Sequence, residues 1–162
     1  DMINGEPICI FSPDQRYRYT LWREVNPVGE GYVQWVALNP STANETVDDP
    51  TVRRMQGFSR SWGARYCLVT NLFAFRATNP RDMKAQDDPF GPDNFVHILR
   101  LAKDAKVVVA AWGTHGNHSF GEDQLLMNWP KTIPLKCLGK TLHDHPKHPL
   151  YVRADTQLID YP

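Results

Sequence analysis

Short apolar, β-branched runs alternate along this chain with longer segments whose apolar residues recur at helical spacing. The run Val33 to Leu38 stops at Asn39-Pro40-Ser41, and a polar loop then leads to Asp49-Pro50. A continuous apolar run of this length fits a strand buried on both faces, delivering a polar cluster at its carboxyl end. Asp49 suits a helix N-cap and Pro50 the first helical turn, so the spacing predicts a helix over Pro50 to Ser61. Val52, Met55, Phe58 and Trp62 form its apolar stripe, and Gly63 ends it.

The same punctuation recurs. Tyr66 to Thr70 reads as a second buried strand ending at Asn71. Lys106 to Ala111 is a third, ending at Trp112-Gly113, and Pro134 to Leu138 a fourth, ending at Gly139. Helices are predicted over Pro92 to Ala105, with Phe95, Ile98, Leu99 and Ala102 on one face, and over Gly121 to Trp129. Ahead of these, Ile8 to Phe11 and Tyr17 to Arg23 flank the turn Ser12-Pro13-Asp14-Gln15. The second of them alternates aromatic or apolar with polar residues, as a half-buried antiparallel strand does.

Strands alternating with helices imply right-handed crossovers and a parallel sheet. The expected fold class is α/β: a three-layer α/β/α domain with a four-stranded, mostly parallel sheet and an N-terminal antiparallel hairpin. At 162 residues the chain reads as one domain over residues 1–162, large enough to bury a core. No apolar run approaches the roughly 20 residues of a membrane span, and no signal segment opens the chain, so a cytoplasmic monomer is expected. Cys9, Cys67 and Cys137 sit in apolar runs without pairing motifs and read as reduced thiols.

Ligands of open α/β sheets bind beyond the carboxyl ends of the strands, so the polar strand ends are the candidate site. Asn39 can hold a water, a sugar hydroxyl or a base edge without titrating. Ser41 lacks a GxSxG context and suits a hydroxyl hydrogen bond better than a nucleophilic role. Of the adjacent carboxylates Asp48 and Asp49, one caps the helix and the other is free to polarise water or hold a sugar. Asn71 presents one acceptor and two donors, the pattern that reads the Watson–Crick edge of an extruded base. Phe73 and Trp112 are candidate stacking partners. His143, His145 and His148 match no zinc spacing, and His148 reads instead as a donor to an anionic leaving group. No GxGxxG or P-loop is present, and neither metal nor cofactor is expected.

Net charge is zero, but its distribution is uneven. Residues 1–50 carry eight acidic against three basic side chains, whereas residues 51–84 carry seven basic against one acidic. Such asymmetry permits a basic face on a neutral protein. Arg53, Arg54, Arg76, Thr78, His145 and Lys147 are the candidate phosphate contacts.

The blocks LNPSTAN, DDPTVRR, VTNLFAFRATNP, GPDN, AAWG, CLGKT and HPKHPLY resemble a bacterial and phage family catalogued as a domain of unknown function, DUF1643, over Tyr17 to Val152. More distantly, the order of blocks resembles the uracil-DNA glycosylase superfamily. That resemblance implies a water-activating motif at Asn39-Pro40-Ser41 and a base reader at Asn71. It also implies a leaving-group and minor-groove loop at His148-Pro149-Leu150, with His145-Pro146 as the competing choice. Ser41 stands where that superfamily has Gly and Leu150 where it has Ser. The NLFAFRATNP loop departs from a uracil pocket and suits a larger or modified base.

The expected function is therefore a monofunctional DNA glycosylase that flips out an altered base and hydrolyses its N-glycosidic bond. Catalysis falls to Asn39, Asp48, Asp49 and His148, base binding to Ser41, Asn71, Phe73 and Trp112, and DNA is the partner. Because related chains occur in phage and bacteria, excision of a hypermodified phage base in antiviral defence is one role. The alternatives are a nucleoside or nucleotide hydrolase or deoxyribosyltransferase, and a binder of nucleic acid that has lost catalysis.

Overall fold

The structure, a computed structural model, describes residues 2–162. Four parallel strands form its centre: β5 (Tyr32–Ala37), β6 (Tyr66–Asn71), β7 (Val107–Ala110) and β8 (Leu135–Cys137). The sheet is larger than the pattern of apolar runs implies. Its order is β3-β4-β6-β5-β7-β8-β9, seven strands in all, where β3 is Cys9–Phe11, β4 Arg18–Glu24 and β9 Ile159–Asp160. It is also mixed, because β4 pairs antiparallel with β6 and β9 antiparallel with β8. The expected N-terminal hairpin exists as β3 and β4, but β4 is zipped onto β6 and extends the main sheet. A separate two-stranded antiparallel sheet pairs β1 (Met2–Ile3) with β2 (Glu6–Pro7). The terminal strands are too short for a periodicity to announce them; pairing with an existing edge stabilises them.

Helices cover both faces. On one face α1 (Pro50–Ser61) lays Val52, Met55 and Phe58 onto Val33, Trp35, Val69 and Val109. Its boundaries match the local signals: Asp49 Oδ1 accepts from Val52 N at 2.9 Å, Pro50 opens the first turn, and Trp62 closes the helix. On the other face Ile98 and Ala102 of α3 (Asn94–Ala102) and Leu125 of α4 (Gly121–Asn128) pack on Val36, Val108 and Ala110. α3 is shorter than its apolar spacing suggests, and its buried stripe uses Leu101 in place of the half-buried Leu99. A short helix α2 (Pro80–Lys84), capped by Asn79, follows the NLFAFRATNP loop, where no helix is expected. No helix among the described residues is long and apolar enough to cross a membrane.

One irregularity in the sheet redirects a charged side chain. The β3–β4 pairing runs Cys9 to Leu21 and Ile10 to Thr20, then jumps to Phe11 opposite Arg18. This bulge gives β4 one extra residue, so Arg18 leaves the face of Thr20 and Trp22 and turns toward that of Leu21, under α1. The alternation of the YRYTLWR stretch implies a polar, outward Arg18; it is instead 1 % exposed.

Phe58 joins α1 to the sheet through Trp35 and Trp62, with ring centroids 6.0 and 5.4 Å away. Phe58→Ala is expected to cost about 3–5 kcal/mol of stability. Met127→Ala, on the exposed side of α4, should stay within about 0.5 kcal/mol. Urea unfolding of the two variants checks both values, and equal losses would contradict this packing.

Candidate functional site

Parallel register sets the site. β5 and β6 pair in step from Tyr32–Tyr66 to Ala37–Asn71. The contact continues past both strand ends, with Leu72 N donating to Ala37 O at 2.8 Å and Phe73 N to Leu38 O at 3.0 Å. Further out, Ala77 N donates to Pro40 O, and the Asn39 side-chain nitrogen donates to Ala77 O at 2.7 Å. Asn39 therefore spends its amide nitrogen on joining the two loops. Its oxygen has no protein donor among the described residues.

Beyond these strand ends lies a cavity of about 400 Å³, lined from β4, β6 and β5 and reaching past β5 to the end of β7, where the chain order reverses direction. That is the switch-point position at which α/β sheets bind ligands. Asn39, Ser41, Asp49, Asn71, Thr78, Trp112 and His148 all line it. Asn71 is 2 % exposed, its main-chain carbonyl accepts from Asn94 Nδ2 at 2.8 Å, and its own Nδ2 is buried without a partner. A buried donor left unsatisfied is costly, and a ligand acceptor is the natural remedy.

Asp49 is both the helix cap and a cavity wall. Oδ1 serves Val52 N and Oδ2 accepts weakly from Ala43 N at 3.4 Å. His148 arrives on a loop tied down from several sides. Gly113 N, at a left-handed φ of 71°, donates to Pro146 O, Lys147 N donates to Gly139 O, and Arg54 reaches Pro149 O at 3.2 Å. His148 Nδ1 accepts from Leu150 N at 3.2 Å, which leaves Nε2 as the protonated nitrogen of the neutral ring. Burial pushes the His148 pKa below its ordinary value, with the nearby Asp49 charge opposing. At neutral pH the ring is an uncharged N–H donor.

Trp112 forms another wall. It is 1 % exposed, its Nε1 donates to Glu122 Oε1 at 3.4 Å, and Tyr161 packs edge-on against it. Gly116 is a close approach: a Cβ there would sit 2.2 Å from Trp112 Cδ1.

Several expected site residues are elsewhere. Asp48 is bound to Arg23 Nε at 2.8 Å and Gln56 Nε2 at 3.0 Å, away from the cavity, so Asp49 is the carboxylate of the pair that faces it. Phe73 is wholly buried beside Phe90 and His118 and stacks on nothing in the cavity. His145 lies 2.9 Å from Glu122 Oε2, on the far side of Trp112, so His148 is the one of the competing histidines that reaches the cavity. The Arg54 guanidinium is occupied by the carbonyls of Pro149 and Val152, so it fastens a loop. Arg53 and Lys147 are exposed and outside the cavity. Among the described residues no group of three His, Cys, Asp or Glu side chains could hold a metal.

Arg76 and Thr78 fare differently. Ser41 Oγ lies 3.4 Å from Thr78 Oγ1 at the cavity rim. Across that rim a shallow groove begins, lined by Gln15, Arg16, Phe75 and Arg76 and sharing Ser41, Ala77 and Thr78 with the cavity.

Sequence reasoning missed Arg18 altogether. It lines the cavity, donates Nη1 to Ala43 O at 2.8 Å, and leaves Nε buried without a partner. No carboxylate lies within 4.0 Å among the described residues. Burial pushes its pKa down to about 10, so it stays charged at neutral pH. Burying an unpaired charge costs several kcal/mol, which marks Arg18 as built for something other than stability. An arginine within an aromatic strand was the only signal.

The fold and site together define an α/β domain with a cavity, lined in part by unsatisfied polar groups, at the carboxyl ends of its parallel strands. The chain belongs to the family described as Protein of unknown function (DUF1643), whose model matches residues 18–150. The match reaches from Arg18 to Leu150 and takes in Asn39, Asp49, Asn71 and His148. No curated protein and no solved structure matches the chain.

The lowered pKa of His148 fixes the sign of a pH effect. Its unfolded form takes up a proton near pH 6.5 while the folded form resists it, so stability falls as pH drops below that value. His97 and His115 are shifted the same way. His148→Gln should flatten the fall between about pH 6.5 and pH 5. Urea midpoints measured across that range check this, and an unchanged slope would mean that His148 does not titrate as its burial requires.

Proposed function

We propose that this protein is a monofunctional DNA glycosylase of the uracil-DNA glycosylase type, acting on an altered or modified base. The observation that carries the reading is the meeting of Asn39, Asp49, Asn71 and His148 in one cavity at the strand ends, with the Asn71 donor unpartnered. A flipped nucleotide entering this cavity would offer its base acceptor to Asn71 Nδ2. Asn39 Oδ1 and Asp49 then position a water against C1′ of the sugar. The C1′–N bond breaks as the water oxygen bonds to C1′, and Asp49 accepts the proton released. The bonding electrons leave with the base, whose negative charge the neutral His148 Nε2–H stabilises by hydrogen bonding.

The groove that opens across Ser41 and Thr78 supplies a path for the strand. Arg16 is exposed and Arg76 half-buried, its guanidinium 4.7 Å above the Phe11 ring, and both lie where phosphates would run. Leu150 and Tyr151, 43 % and 82 % exposed at the cavity mouth, can fill the gap left by an extruded nucleotide. Because the NLFAFRATNP loop departs from a uracil pocket, excision of a hypermodified phage base is the role we favour. The second reading, a nucleotide hydrolase or deoxyribosyltransferase, draws on the neutral net charge and on Arg18.

The test is incubation with genomic DNAs carrying plain, uracil-containing and hypermodified bases, followed by alkali cleavage and mass spectrometry of released bases. Base release should fall about 10²- to 10⁴-fold in Asn39→Ala. Intact DNA with every substrate would remove the glycosylase reading, and release from mononucleotides alone would install the second one. Arg76→Ala should weaken DNA binding uniformly across sequences and reduce the salt slope by about one. Titrations at several salt concentrations check it; an unaltered slope would take the groove out of the interface.

A further inference from the structure

We infer that Arg18 and Asn71 form an oxyanion receptor at the floor of the cavity, so that the deepest-entering part of the substrate carries a carboxylate or phosphate group. Arg18 and Asn71 are 1 % and 2 % exposed, whereas Thr78, Thr114, His115 and Tyr151 at the opposite end of the lining are exposed. The floor thus holds two buried side chains, each with a nitrogen donor that no protein acceptor meets: Arg18 Nε and Asn71 Nδ2. One of them carries a full positive charge.

One further observation favours an anion over a neutral acceptor. The Asp49 carboxylate does not neutralise Arg18 by contact. The Ala43 peptide stands between them, its carbonyl taking Arg18 Nη1 and its N–H facing Asp49 Oδ2. The bulge in β4 is what aims the guanidinium here, and an aliphatic side chain would fill the same place without desolvating a charge.

The inference rests on the proposed function only for the identity of the deep group. In a flipped nucleotide the base enters first, so the oxyanion belongs to a substituent on the base. In a free nucleotide it belongs to the 5′-phosphate. Calorimetric titration separates these sources without needing turnover. The probes are 5-carboxycytosine against cytosine, and deoxycytidine 5′-monophosphate against deoxycytidine.

The anionic member of one pair should bind about 10- to 100-fold tighter than its neutral counterpart. Preference in the first pair identifies a base substituent, and preference in the second a nucleotide phosphate. Arg18→Gln should abolish the preference, and Arg18→Lys should keep part of it, since it retains the charge without the planar fork. Asn71→Asp, which leaves Arg18 in place but gives it a carboxylate neighbour, should also abolish it. This keeps the question open to measurement even if Arg18→Gln fails to fold.

Equal affinity for both members of both pairs, or no binding of any probe, overturns the inference and leaves Arg18 balanced by Asp49 at a distance. A preference that survives Arg18→Gln overturns it too. Arg18-dependent binding with no base release from any DNA would sink the glycosylase and keep the receptor. Base release without a charge preference would do the reverse.

Discussion

The in-step pairing of β5 with β6 is the constraint that dictates the site. Because Ala37 lies opposite Asn71, the residues just beyond β5 and the last residue of β6 must come out side by side. The two loops then continue as a zipper, main chain to main chain at Leu72 and Phe73, and through the Asn39 amide at Ala77. A one-residue slip would send Asn71 to the opposite face of the sheet and Asn39 away from its carbonyl. The buried apolar faces of both strands forbid that slip, so core packing and site geometry are enforced by the same contacts.

What was legible in the sequence was what local physics decides. Asp49 and Pro50 announce the start of α1 through hydrogen bonding and a fixed φ, and the structure begins the helix there. The strand-end asparagines stood out because apolar runs stop abruptly at them. Residues whose role depends on a neighbour far along the chain were not legible. Asp48 and Asp49 are equivalent in sequence, and Arg23 on β4 together with Gln56 on α1 draws Asp48 away. Phe73 sits at a strand end as a stacking residue would, yet Phe90 and Gly121 close over it. His145 and His148 share one motif, and Glu122 on α4 claims the first. The strands β1, β2 and β9 escaped because two-residue segments have no period of their own.

The cavity divides its work by depth. Its floor is rigid, made of sheet residues whose side chains are locked by packing, and it holds the unsatisfied donors. Its rim includes the loop that carries His148, which is held at several points: Gly113 to Pro146, Gly139 to Lys147, and Arg54 to Pro149 and Val152. Fixed donors suit recognition, because they need not reorganise when a ligand arrives.

The bulge in β4 has a consequence for how such a cavity can change over evolutionary time. The side chain at position 18 faces the cavity because β4 carries one more residue than the β3 segment beside it. Deleting a single codon there would restore ordinary pleating and carry the arginine through to the opposite face of the sheet. The charge presented at the floor is thus tied to a count of residues as well as to their identity. Point substitution moves through such a landscape gradually, whereas an insertion or deletion in this hairpin reverses the polarity of the floor in one step.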